Sequence, residues 1–171
     1  MQINHCDYVT SLQNRSWDNG DHGYDHLDSR WSVHVGDVAY HNVHDGFSME
    51  GGNANSALYD SVAVDNGVLT NHYNLWVDLT STPGFASDSN ILWNSMPQEP
   101  VKYITTPYSS VFAFYAITGH DEHSIQADPL FVDPAKNDYR VRPESPALRQ
   151  GFKNFEMGLW GITRDFPREL R

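Results

Sequence analysis

Apolar and polar side chains alternate along residues 16–67, and the runs are punctuated by Gly and Asn. A period of two with such breaks predicts short β-strands joined by turns, not helices. The stretch also repeats. Ser16-Trp17-Asp18-Asn19-Gly20, Ala39-Tyr40-His41-Asn42-Val43 and Ala63-Val64-Asp65-Asn66-Gly67 are copies of one unit, and their Asn residues fall at 19, 42 and 66, a period of 23 and then 24. A steady period in this range marks a solenoid. His22-Gly23-Tyr24 aligns with Asp45-Gly46-Phe47 and, after a four-residue insertion near 69–73, with Tyr73-Asn74-Leu75. Thr10-Ser11-Leu12, Val33-His34-Val35 and Ala57-Leu58-Tyr59 match on a second strand of each coil. Asn19, Asn42 and Asn66 therefore share one point of successive coils, where stacked amides can form a structural ladder.

Beyond the third copy the pattern predicts further elements. Pro83-Gly84 reads as a turn and Ile91-Leu92-Trp93 as a buried strand. Residues 96–108, rich in proline, read as an excursion with little regular structure. One short helix is expected over 109–119, with Ser109 or Ser110 as N-cap and Gly119 as the stop. Strands are expected at 130–132 and 139–141, with Asp128 and Asp133 as turn residues. Phe152, Phe155, Met157, Leu159 and Trp160 suit a cover lying across the coils, followed by a mixed-charge end with Arg164, Arg168 and Arg171. The expected organisation is one all-β domain, with coils in 1–95, the excursion in 96–128, and C-terminal strands and cover in 129–171.

The coils "DNGDHG", "DGFSMEGG" and "VAVDNG", followed by "ITGHDEHSIQADPLFVDPAKNDYRVRPESPAL", resemble the C-terminal part of right-handed parallel β-helix proteins of the pectate-lyase-like superfamily. The resemblance spans about 9–150. It implies a short right-handed parallel β-helix of three to four coils, an extracellular or cell-envelope parent, and work on polysaccharides. It leaves hydrolase, lyase and non-catalytic members all open. The chain opens almost directly on a coil strand, and a solenoid needs its ends covered. The expectation is a piece of a longer solenoid, or an open first coil that pairs with another copy.

Charge narrows the partners. With 22 acidic against 11 basic residues the net charge is −11, and no Lys or Arg occurs between Arg30 and Lys102. Nucleic acid and anionic membranes are poor matches for such a surface. The first residues have neither a basic start nor an apolar run, and no stretch is long and apolar enough to span a membrane. Cys6 is the single cysteine, which excludes an internal disulfide and a cysteine metal cluster.

The aligned coils say which side chains share a column. If Tyr24, Phe47 and Leu75 point inward, Asp25, Ser48 and Trp76 point outward, as do Leu27, Glu50 and Asp78. Asp25, Glu50 and Asp78, with His22 and His44 nearby, form the densest titratable group and the candidate catalytic centre. A glycoside hydrolase needs two carboxyl groups about 5 to 9 Å apart. A lyase reading would place Ca²⁺ on Asp25, Asp28 and Glu50 and take a His as base, with Arg30 the one cation nearby. Trp17, Trp31, Tyr40 and Trp76 are available to stack on sugar rings. The remaining reading is that these outward positions are only solvated and the module is structural.

Overall fold

The computed structural model describes residues 1–157. Parallel sheets stack as a β-solenoid of about four coils. The first sheet carries Gln2–Asn4 (β1), Tyr24–Leu27 (β4), Phe47–Glu50 (β7), Leu75–Val77 (β10) and Val101–Tyr103 (β13), and Thr106–Tyr108 (β14) folds back antiparallel on its end. The second stacks Thr10–Leu12 (β2), Val33–Val35 (β5), Ala57–Tyr59 (β8) and Ala86–Asp88 (β11). The third stacks Arg15–Trp17 (β3), Val38–Tyr40 (β6), Val62–Val64 (β9) and Ile91–Trp93 (β12).

Strands this short need sharp corners, and left-handed residues supply them in columns. His5, Asp28 and Gly51 (φ 53°, 46° and 68°) follow one set of strands; Gln13, Gly36, Asp60 and Ser89 (φ 52°, 66°, 51° and 61°) follow another. Asp18, His41 and Asp65 (φ 50°, 52° and 53°) turn the third. Asp, Asn and His tolerate this region better than most residues, yet each still costs on the order of 1 kcal/mol. Side chains that accept the corner N–H groups offset that cost.

Each of these three corners has such a ladder. At the first, Asn19 N–H and Nδ2 donate to Asn42 Oδ1 (3.1 and 2.6 Å), and Asn42 N–H and Nδ2 donate to Asn66 Oδ1 (3.1 and 2.8 Å). Asn66 Nδ2 then donates to Asn74 Oδ1 (2.9 Å), and Asn74 Nδ2 to Asn94 Oδ1 (2.9 Å). At the second, Ser29 N–H donates to Asn53 Oδ1 (2.8 Å) and Asn53 N–H to Ser81 Oγ (3.1 Å). At the third, Asn14, Asp37, Ser61 and Asn90 each donate their N–H to the side chain one coil on, ending at Ser124. Buried turn backbone is thereby satisfied, as buried amides must be.

The first ladder also dictates two glycines. A Cβ on Gly46 would lie 2.7 Å from the Asn74 carbonyl and 2.8 Å from Asn66 Nδ2, and one on Gly23 would lie 2.7 Å from Asn42 Nδ2. Gly46→Ala is therefore expected to cost about 1–3 kcal/mol by overpacking, seen as a lower urea midpoint with an unchanged slope. An unshifted midpoint would mean that the ladder yields freely.

Inside the coils, Tyr24 and Phe47 stack face to face at 4.8 Å, and Leu75 and Val101 continue their column. A helix over Val111–Thr118 (α1) closes that core with Val111 and Phe114. Its ends follow the sequence: Ser110 Oγ accepts the Ala113 N–H, and Gly119 takes the left-handed conformation. The third sheet is apolar outside as well. Val38, Val62, Val64 and Ile91 are buried there beneath Phe131–Asp133 (β15), Asp138–Val141 (β16) and a one-turn helix over Pro146–Gln150 (α2), together with Phe152 and Met157.

Two expectations are corrected. The proline-rich excursion contains β13 and β14, because Pro100 precedes β13 and Pro107 lies in the terminal strand, where a missing N–H is tolerated. The helix α2 was not anticipated; Pro146 at its first position and the Ser145 cap are its local signals. Leu159, Trp160, Arg164, Arg168 and Arg171 lie outside the described residues. Among the described residues no helix is long and apolar enough to cross a membrane.

Candidate functional site

The outer face of the first sheet collects the titratable groups. Strand register sets Gln2, Asp25, Ser48, Trp76 and Lys102 in one outward column. Glu50, opposite Leu27, stands one outward position further along β7. His22 reaches in from the turn before β4. One ligand atom each from His22, Asp25 and Glu50 lie within 4.8 Å of one another, and His22 Nε2 is 3.7 Å from Glu50 Oε1. Gln2 Nε2 donates to Asp25 Oδ2 (3.1 Å), while Asp25 Oδ1 is buried with no hydrogen-bond partner.

These neighbours alter the protonation of two groups. Burial raises the Glu50 pKa, His22 pulls it back, and the Asp25 charge adds to the rise, so the net is upward. Burial alone would lower the His22 pKa, but its contact with Asp45, then the Asp45, Asp21 and Asp25 charges, raise it. Asp45 is fully buried; its Oδ1 accepts the Tyr73 N–H (2.6 Å), and its Oδ2 lies 3.2 Å from His22 Nδ1. The Asp45 N–H also points at that nitrogen from 3.1 Å. A proton on Nδ1 excludes the amide contact and satisfies the carboxylate, and the charge-assisted bond is the stronger one.

A second group adjoins the first. Asp21 Oδ1 is 2.7 Å from His44 Nδ1 and 3.4 Å from His22 Nε2. His72 stacks on His44 with ring centroids 4.2 Å apart.

The chain matches no family model, no curated protein and no solved structure. What the geometry offers therefore carries the functional reading.

The residues read from the sequence divide. Asp25, Glu50, His22 and His44 come together. Asp78 does not join them: its carboxylate caps the single 3₁₀ turn Leu79–Ser81, accepting from Ser81 N–H (2.8 Å), Gly51 N–H (2.9 Å) and Thr80 Oγ1 (2.8 Å). Burial opposes ionisation there, but these bonds outweigh it and lower the Asp78 pKa. Of the two carboxylates that could pair with Glu50, Asp78 and Asp25, it is Asp25 that stands beside it. Asp28 sits at a corner, 3.4 Å from His5 Nε2, and is not grouped with Asp25 and Glu50. Ca²⁺, which takes six to eight oxygens, would need ligands beyond these two carboxylates.

Of the aromatic candidates, Trp76 alone is on this face, with Lys102 Nζ 5.3 Å from its ring centre. Trp17 and Tyr40 point out of the third sheet and pack against Tyr139 under the C-terminal cover. Trp31 stacks on Tyr8 at 4.8 Å, near a corner. Arg30 bridges the strands at that same corner, so Lys102 is the cation in the outward column. Asp21, His72 and Lys102 were missed, whereas Asp45 stands at the strand entry where the coil alignment puts it beside His22. His72 follows the insertion and Lys102 the prolines, where coil numbering breaks.

Proposed function

We propose that this protein is a carbohydrate-processing β-solenoid module, of the kind the pectate-lyase-like resemblance implies, with Asp25 and Glu50 as its reacting pair. The observation that carries this reading is the placing of two carboxyl groups side by side on an open sheet face, Asp25 in the column of Trp76 and Glu50 one outward position along. Glu50, whose proton is held more firmly than usual, suits a general acid toward a glycosidic oxygen. Asp25, with one oxygen fixed by Gln2, suits the opposing carboxylate. Trp76 offers an apolar ring face for a sugar.

Carboxyl atoms within 4.8 Å of each other stand nearer the spacing of about 5–5.5 Å used for hydrolysis with retention than the about 6.5–9.5 Å that inversion needs to seat a water. Lyase chemistry through Ca²⁺ would need oxygen ligands beyond those of Asp25 and Glu50. The extracellular or envelope setting belongs to the same proposal and rests on the resemblance.

The test is turnover of a panel of neutral and acidic polysaccharides, with Glu50→Gln and Asp25→Asn as variants. The expected result is hydrolysis that either variant slows about 10²–10⁴-fold, with a product that keeps its anomeric configuration by NMR. Asp78→Asn should lower stability and leave the rate per folded molecule unchanged. Saturable glycan binding without turnover would reduce the module to a binding one. Neither binding nor turnover on any glycan would leave the outward face solvated and the coils structural.

A further inference from the structure

Next to the carboxyl pair, the Asp21–His44–His72 column gathers nitrogen ligands that the carbohydrate reading does not use. We propose that Asp21, His22 and His44 form a binding site for one divalent transition-metal ion of the Zn²⁺ class. The three residues come from adjacent coils: Asp21 and His22 lead into β4, and His44 is the Asp21 equivalent one coil on, since His44 N–H donates to the Asp21 carbonyl. One ligand atom from each lies within 4.8 Å of the others.

The distances suit a small ion. Ligands about 2.0–2.2 Å from a tetrahedral centre stand roughly 3.3–3.6 Å from one another. Asp21 Oδ1 to His22 Nε2, at 3.4 Å, already has that spacing. Asp21 Oδ1 to His44 Nδ1, at 2.7 Å, is a hydrogen bond in which the ion would take the place of the shared proton. Both Asp21 and His44 are accessible enough to move the remaining fraction of an ångström, with side chains 68% and 36% exposed.

A second observation points to a ligand at His22. Asp45 is fully buried, and its Oδ2, 3.2 Å from His22 Nδ1, has no other partner among the described residues. A buried carboxylate behind one imidazole nitrogen fixes the tautomer, turns the other nitrogen outward and strengthens it as a donor, the arrangement that supports metal-bound histidines. Here Nε2 is turned toward Asp21 and Glu50. His72, stacked on His44, holds that ring in place. Two imidazoles and a carboxylate select a borderline metal over Ca²⁺ or Mg²⁺, which prefer all-oxygen sites.

The site lies on the Asp21 side of His22 and does not rest on the carbohydrate proposal. Zn²⁺ titration of chelator-treated protein by calorimetry needs no sugar, so the two readings fail separately. The expected result is saturable 1:1 binding of ZnCl₂, with CaCl₂ and MgCl₂ at least 100-fold weaker. Asp21→Asn and His44→Gln change exposed side chains, leave the coils folded, and should each weaken Zn²⁺ at least tenfold. Asp45→Asn should weaken it by about 10–100-fold through His22 alone, with CD confirming the fold. Co²⁺ in place of Zn²⁺ should give visible absorption bands that His44→Gln shifts. No saturable Zn²⁺ binding, equal affinity for Ca²⁺, or binding unchanged in both exposed-residue variants would overturn the site.

Discussion

Asn66→Asp is expected to remove about 4 kcal/mol or more of folding stability, a large share of the roughly 5–15 kcal/mol that holds an ordinary domain folded. Asn66 is fully buried, and every hydrogen-bonding capacity of its amide is used. Oδ1 accepts from Asn42 N–H (3.1 Å) and Asn42 Nδ2 (2.8 Å); Nδ2 donates to the Ala39 carbonyl (3.1 Å) and Asn74 Oδ1 (2.9 Å). A carboxylate keeps the shape and both acceptor contacts but turns the other two into oxygen facing oxygen, with a buried charge. Asn66→Ala strands the same partners without the charge and should cost about 3–5 kcal/mol. Asn19→Ala, at the half-exposed end of the ladder, should cost about 1 kcal/mol, since water reaches the groups it leaves. Urea unfolding of the three variants checks the order. If Asn66→Asp lost less than 1 kcal/mol, the ladder would be a consequence of the fold and not one of its supports.

That ladder was legible because one residue type recurs at a fixed period. The other two corners perform the same task with mixed residues, Ser29, Asn53 and Ser81 at one and Asn14, Asp37, Ser61, Asn90 and Ser124 at the other. Any short side chain with an acceptor oxygen serves, so identity does not repeat and the pattern stays hidden. Inward and outward alternation on the first sheet could be read for the same reason that Asn19 could. It gave Tyr24, Phe47 and Leu75 inside and Asp25 outside, and the strand register agrees.

That the tail covers the coils was legible; which face it covers was not. Alternation alone puts Trp17 and Tyr40 outward, and they are, but residues 131–157 lie over that face and turn it into a second core. Asp78 keeps the register of Glu50, since its N–H donates to the Met49 carbonyl. The chain then leaves the strand for a 3₁₀ turn, and the carboxylate caps it. Column position is a property of the repeat; what a side chain does there depends on the next few bonds.

Lowering the pH from 7 to 4.5 is expected to remove about 3 kcal/mol of stability through a single buried histidine. His26 interrupts the apolar inward column between Ile3 and Met49. It is fully buried, its Nε2 lies 2.6 Å from His34 Nε2, and His34 Nδ1 lies 2.6 Å from Asp37 Oδ2. Burial, and then the neighbouring His34, lower the His26 pKa to about 3. The unfolded chain takes up this proton near pH 6.5 while the folded chain refuses it until about pH 3, so acid favours unfolding throughout that window. The loss grows by about 1.4 kcal/mol per pH unit below 6.5. Glu50 and Asp121 act in the opposite sense, because a raised carboxyl pKa lets the folded form bind protons first.

A variant separates these contributions. His26→Met, His34→Leu and Asp37→Ser together copy the residues that the next coil carries at the same positions, Met49, Leu58 and Ser61. Ser at 37 would still accept the Asn14 N–H as Asp37 does now, so the corner ladder is kept. Replacing a buried polar triad by matched packing is often neutral or stabilising by about 1–4 kcal/mol. The triple variant should therefore hold its stability at neutral pH and lose the acid slope between pH 6.5 and 4.5, while wild type shows it in urea titrations at each pH. An equal slope in both proteins would place the acid sensitivity elsewhere. A variant that fails to fold would show that the triad, and not the packing of the next coil, is what this level of the interior requires.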